Sequence, residues 1–253
     1  MRQTVYILGV PVDTYNFQEV IDFASEAVES HSRKWIASIN PEIVMQAQQN
    51  RNLKDALSQA NLRIPDGTGV VWAGRYLRLG IPERVAGVDV VEKLIEIASK
   101  KHWRIFLLGG MPGVANRASQ LLKQKFTGLE PPGSLYIEAV PSNYDLAVYE
   151  INRYRPDILV VSFGAPKQEI FISQNLMRMD VGIAIAAGGT IDYLAGDVKR
   201  APGWVRELGL EWLYRLFRQP WRWRRMLALP LFAMAVLREA KVIKRANGHR
   251  TGS

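Results

Sequence analysis

A chain of 253 residues, 48% hydrophobic and 23% charged, has room for one large α/β domain with or without an appendage, and its composition excludes general disorder. It contains no cysteine, which excludes disulfides and thiolate metal sites and fits a reducing compartment. The net charge of +9 is unevenly spread: residues 199–253 hold 13 Lys or Arg against three acids, whereas residues 1–198 hold 20 against 21. A neutral body thus carries a basic tail, and four of the seven tryptophans (Trp204, Trp212, Trp221 and Trp223) lie in that tail. Such asymmetry points to a polyanionic partner: nucleic acid, a diphosphate or an anionic bilayer.

The N-terminus runs at once into a short apolar segment and lacks the h-region and cleavage site of a signal peptide, so a cytoplasmic location is expected. Val5–Leu8 reads as a strand and Phe17–Glu29 as a helix. The strand Trp35–Ile39 precedes a helical stretch, Pro41–Gln49. The helix Val88–Lys101 then leads to the strand Ile105–Leu108 and the helix Val114–Phe126. The helix Leu146–Tyr154 and the strands Ile158–Val161 and Val181–Ala186 complete the body. This alternation predicts a Rossmann-like α/β domain over residues 1–198, a mainly parallel sheet with helices on both faces. Residues 199–253 are expected to form a basic helical appendage. Its first helix runs roughly from Leu208 to Arg218, and Pro220 is suited to open a second. Arg215, Arg218, Arg222 and Arg225 fall near one helical face. The apolar stretch Met226–Leu237, broken by Pro230 and followed by the basic Arg238–Arg245, is too short to span a bilayer and suits its interface.

In a parallel sheet ligands collect where strands end, so the segments after each strand are the candidates for chemistry. Gly109 and Gly110, in Gly-Gly-Met-Pro-Gly, open a helix and would let a backbone approach phosphate or ribose, although any strand-to-helix turn favours such residues. Asp66, in Pro65-Asp66-Gly67, is either a helix N-cap or a base for a sugar hydroxyl. Ser38, Asn40 and Glu42 mark another strand end, where Asn40 before Pro41 also suits a cap. Arg84 either neutralises a phosphate or pairs with Glu83. Gln168 offers the donor and acceptor that uracil or a sugar hydroxyl needs; the bland alternative is a capped helix with solvated Lys167, Gln168 and Glu169. Asp192, after Gly188-Gly189-Thr190, is equally open. There is no D-x-D or H-E-x-x-H, and His31, His102 and His249 are scattered, so neither a metal nor a cofactor is expected.

Taken together, these segments resemble the WecG/TagA/CpsF glycosyltransferase family over nearly the whole chain. The pieces are Asn40-Pro41-Glu42, Pro65-Asp66-Gly67, Arg84-Val85-Ala86-Gly87-Val88-Asp89, Phe163 through Glu169, Gly188 through Gly196, Arg200-Ala201-Pro202 and Gly209 through Leu216. Ser38 stands where some members have threonine, Ile170 where tryptophan is frequent, and Ile191 where phenylalanine is frequent. The resemblance implies an inverting, metal-independent transferase. Its donor would be a UDP-N-acetylmannosamine-type sugar and its acceptor undecaprenyl-diphosphate-N-acetylglucosamine, for teichoic acid, common antigen or capsule. It makes Asp66 the general base. It puts Asn40, Arg84 and Gln168 on the donor and acceptor pocket, and Arg215, Arg222 and Arg225 on the diphosphate. The expected partners are these substrates and the inner face of the plasma membrane. The rival from another class is a nucleic-acid-binding α/β protein with the tail as its basic arm, and the tail's Trp and Leu also fit a homo-oligomer contact.

Overall fold

The computed structural model describes residues 3–207, 209–218 and 223–248. The chain opens with a hairpin of its own. β1 (Thr4–Ile7) pairs antiparallel with β2 (Val10–Asp13) through a two-residue turn in which Leu8 (φ 50°) and Gly9 (φ 71°) are both left-handed. Turns of that hand match strand twist. The strand expected at Val5–Leu8 therefore exists, but it lies in a separate two-stranded sheet. An ion pair ties this hairpin to the body: Arg63 donates from Nε and Nη2 to Asp13 at 2.9 and 3.2 Å, and its N–H adds a third bond at 2.8 Å. Thr4 Oγ1 donates to the same carboxylate at 2.6 Å.

Helix α1 (Phe17–Glu29) starts at a capping box of Asn16 and Glu19. β3 (Lys34–Ile39) is followed by α2 (Pro41–Ala47), α3 (Arg51–Gln59) and β4 (Leu62–Pro65). α4 (Thr68–Tyr76) and α5 (Gly87–Lys101) then lead to β5 (Ile105–Gly109), α6 (Val114–Lys125) and β6 (Gly133–Leu135). α7 (Tyr144–Tyr154), β7 (Ile158–Ser162), α8 (Lys167–Asn175), β8 (Ile183–Ala186) and α9 (Thr190–Leu194) complete the body. The tail holds α10 (Gly203–Glu207), α11 (Glu211–Arg218), α12 (Trp223–Met226) and α13 (Ala228–Gly248).

The main sheet has six strands in the order β4-β3-β8-β7-β5-β6, all parallel. Period-two alternation sorts its side chains onto two dry faces. Trp35, Ala37, Ile39, Leu159, Val161, Ala184 and Ala186 point to one face, under α2, α3, α7 and α8. Ile36, Ile158, Val160, Ile183 and Ile185 point to the other, under α1, α5 and α6.

The tail is packed into the first of these faces. Phe232, Val236 and Ala240 recur every fourth residue on α13, and Phe232 and Val236 belong to the core beside α2. Pro230, expected to break the apolar stretch, sits in the first turn of α13, where no intrahelical bond needs its missing N–H. The helix runs on from it. Because Phe232 is only 1% exposed, Phe232→Ala is expected to destabilise the whole protein by about 3–5 kcal/mol. Leu231→Ala, on the open face, is expected to cost less than about 1 kcal/mol. Urea midpoints measure both, and equal, small shifts would mean that α13 is a detached arm.

Candidate active site

α2 leaves β3 toward one face, carrying Ile43 and Val44 into its core, while α9 leaves the adjacent β8 toward the other, carrying Ile191. Between two strands whose chains depart in opposite directions no backbone covers the strand ends, and a crevice results. Here it is a cleft of about 260 Å³, walled by the ends of β3, β4, β7 and β8 and by residues 209–212 and 226–229 of the tail.

Asp66 stands in this cleft directly after β4, its N–H bonded to Ile39 O at 2.8 Å. It does not cap the helix that follows it: Gly67 (φ 99°) occupies that position, with no side-chain bond. Instead Asp66 Oδ2 accepts from the N–H of Gly87, the first residue of α5, at 3.3 Å. The N-terminus of α5, the positive end of its dipole, is thus directed at this carboxylate. Gly87 is required for this approach, since a Cβ there would lie 2.4 Å from Ser38 Oγ. Ser38 itself is buried in the cleft wall, and its hydroxyl has no hydrogen-bond partner among the described residues. Asn40 also lines the cleft, but its Oδ1 caps α2 by accepting from Ile43 N at 3.0 Å, which leaves its NH₂ group for a ligand.

Arg84 reaches the cleft and does not pair with Glu83, which accepts from Phe17 N–H instead. Its Nη1 donates to Glu211 of α11 at 3.2 Å, and its Nη2 lies 3.7 Å from Asp89. Asp89 is in turn held by Arg200. The tail contributes Glu211 and Trp212 to the wall, and Thr68 Oγ1 donates to Gly209 O at 3.3 Å, closing the tail turn over the start of α4.

Gln168 and Glu169 are the largest departure from the solvated reading: they are 2% and 0% exposed. Gln168 Oε1 accepts from the N–H groups of Gly164 and Gly188, at 3.2 and 3.1 Å, so the acceptor that a uracil would need is already committed. Its Nε2 donates to Glu169 Oε1 at 2.8 Å. Burial pushes the Glu169 carboxyl up from 4.5 to about 7, against the hydrogen bond from Gln168 and with further help from Glu42. Gly109, Gly110 and Asp192 do not line the cleft. At Gly109 a Cβ would meet Ser162 O at 2.8 Å, and at Gly110 it would meet Val114 at 3.3 Å, so helix and strand packing accounts for both glycines. Arg222 and the side chains of Arg215 and Arg225 lie outside the described residues. Among the described residues no group of three or more His, Asp or Glu side chains converges as metal ligands.

Residues 5–246 match the model of the Glycosyl transferase WecG/TagA/CpsF family. The chain is 35% identical, over 94% of its length and 93% of the relative's, to an N-acetylglucosaminyldiphosphoundecaprenol N-acetyl-beta-D-mannosaminyltransferase of Bacillus subtilis strain 168. It is 32% identical to the protein of that name in Bacillus spizizenii, over 96% of this chain and 95% of the relative. The protein of that name in Staphylococcus aureus strain MW2 is 29% identical over the same shares.

The Glu169 carboxyl makes stability depend on pH. Its folded pKa lies above its unfolded one, so the stability present below about 4.5 is lost as the pH rises through about 7. Glu169→Gln removes this dependence. It is expected to be stabilised relative to the parent by roughly 3 kcal/mol at pH 8 and by close to nothing at pH 4, as read from denaturant midpoints at the two pH values.

Proposed function

The chain belongs to the WecG/TagA/CpsF glycosyltransferase family, and we propose that it moves N-acetylmannosamine, or a related N-acetylhexosamine, from a UDP-sugar to undecaprenyl-diphosphate-N-acetylglucosamine. The observation that carries this reading is the carboxylate of Asp66 at a strand end, held by the N-terminus of α5, in a cleft also lined by Arg84 and by the Ser38 hydroxyl, which has no hydrogen-bond partner among the described residues. The names of the relatives supply the sugar and the acceptor.

In this reading Asp66 accepts the proton of the acceptor's attacking hydroxyl as that oxygen bonds to the donor's anomeric carbon. The bond from that carbon to the diphosphate breaks from the opposite side, which inverts the centre, and UDP leaves with the electron pair. The charge developing on the diphosphate needs donors that are already in place. Arg84 is one, and Ser38 and the NH₂ group of Asn40 are suited to hold sugar hydroxyls or the diphosphate. The remaining cations in this reading are Arg215, Arg222 and Arg225, the tail arginines that the family resemblance assigns to the diphosphate.

The acceptor is a lipid, and the tail offers a surface for its membrane. Trp204, Phe217, Trp223, Leu227, Leu231 and Met234 are all exposed, and Arg238 and Lys241 follow on α13. No described helix is long and apolar enough to cross a membrane. We assign the tail to the interface of an anionic bilayer, on the cytoplasmic side.

Asp66→Asn should keep the fold and donor affinity while lowering kcat by roughly 10²–10⁴-fold. The assay is UDP release from a panel of UDP-N-acetylhexosamines with a short-chain prenyl-diphosphate-N-acetylglucosamine; near-parental turnover would remove Asp66 as the base. Flotation with phosphatidylglycerol vesicles tests the membrane surface. Leu231→Glu combined with Met234→Glu is expected to weaken vesicle binding by about 10-fold or more without slowing transfer to a water-soluble acceptor. Undiminished binding would move the contact elsewhere.

A further inference from the structure

The two strand ends at the floor of the cleft are joined by one side chain. Gly164 follows β7 and Gly188 follows β8; both are left-handed (φ 77° and 53°), and around each there is open space where a Cβ would stand. Such glycines let a ligand lie against bare backbone. Their N–H groups would otherwise be free to turn, but both donate to Gln168 Oε1. Ser162 Oγ also donates to Gly188 O, so that glycine is held from both sides.

An amide can be turned end for end. Reversed, Gln168 would present its NH₂ group to two N–H donors and open both loop ends. Glu169 prevents this: Oε1 of its fully buried carboxyl takes the 2.8 Å bond from Gln168 Nε2, an orientation that only an acceptor rewards. The other oxygen, Oε2, is buried without a partner among the described residues, on a group that feels the negative charge of Glu42. Packing alone does not account for a carboxyl in this place, because an apolar side chain would fill it without an unpaired oxygen.

We propose that Glu169 is a positioning residue. By fixing the orientation of the Gln168 amide it locks Gly164 and Gly188 into the floor on which the donor's nucleotide rests. The lock itself is independent of the reaction; its link to the nucleotide rests on the transferase reading above.

Amide hydrogen exchange at Gly164 and Gly188, and the affinity for UDP, test the two parts separately on the full chain. Glu169→Leu is expected to speed exchange at both glycines by about 10-fold and weaken UDP binding by about as much, with kcat changed less than about 2-fold. Glu169→Gln keeps an acceptor for Gln168 and turns its own NH₂ group toward Glu42, so exchange and UDP affinity should stay within about 2-fold of the parent. In a Gln168→Ala background Glu169→Leu should cost nothing further, since the residue acts through Gln168.

A folded Glu169→Leu protein with parental exchange and parental UDP affinity would overturn the proposal. So would an undiminished loss in the Gln168→Ala background. Should Glu169→Leu fail to fold, Gln168→Ala decides the lock: exchange about 10-fold faster at both glycines supports it, and parental exchange rejects it. Faster exchange in Glu169→Leu without any turnover of the parent would leave the lock standing and remove the transferase reading instead.

Discussion

A parallel sheet must send its chain back over one face or the other after every strand, and in this protein the adjacent strands β3 and β8 make opposite choices. β3 feeds α2 on the first face and β8 feeds α9 on the second. The gap between the two departures cannot be closed by either helix, so the strand ends stay open to a ligand. The placement of the cleft residues follows from that divergence. Ser38 and Asn40 end β3, Asp66 ends β4, and the glycines of the floor follow β7 and β8. The remaining wall comes from the tail, and α13 can supply it because Phe232 and Val236 are sunk into the core beside α2.

On the proposed transferase reading, charge gives the basic tail a role. The named charges at the body's end of the cleft are Arg84 against Glu42, Asp66 and Asp89, and α11 adds Glu211. A diphosphate entering this setting meets a local excess of carboxylates, and Arg84 is already shared between two of them. Further cations have to come from elsewhere in the chain. Residues 1–198 hold 20 Lys or Arg against 21 acids, while residues 199–253 carry 13 against three. One basic segment thereby suits two anionic partners, a leaving diphosphate and a bilayer surface.

The sequence made the sheet legible where its strands are continuous and apolar. β3, β5, β7 and β8 are buried on both faces, and so are their runs of Ile, Leu, Val and Ala. β4 escaped notice because Arg63 interrupts a four-residue run; its charge is tolerated inside only because Asp13, fifty residues earlier, meets it. β1 was legible as a strand but not as a hairpin, since the left-handed turn at Leu8 and Gly9 offers only one glycine as a signal. In the site, Asp66 was visible, but its partner was not, because Gly87 is a long-range neighbour. Gln168 carried a usable signal that its polarity hid. Positions 168, 171, 172 and 175 follow the spacing of one helical face, and the apolar pair Phe171 and Ile172 shows that this face is buried. Composition argued for solvent at Gln168, while period argued for the core, and period was right.

That conflict also shows what the buried pair costs the protein. A carboxyl shut away from water, with one oxygen lacking a partner among the described residues, is destabilising at neutral pH, and an apolar residue of similar size would pack there without the penalty. Yet the glycines at the ends of β7 and β8 present two N–H groups to the same small space, and one carbonyl oxygen must receive both. A side-chain amide supplies that oxygen only together with an NH₂ group, and in a dry interior the NH₂ group needs an acceptor of its own. A second amide could fill that place only by being oriented in its turn, whereas a carboxyl in its ionised form accepts whichever way it is turned. The buried acid is thus the end of a short chain of hydrogen-bond requirements that starts at two bare glycines on the cleft floor.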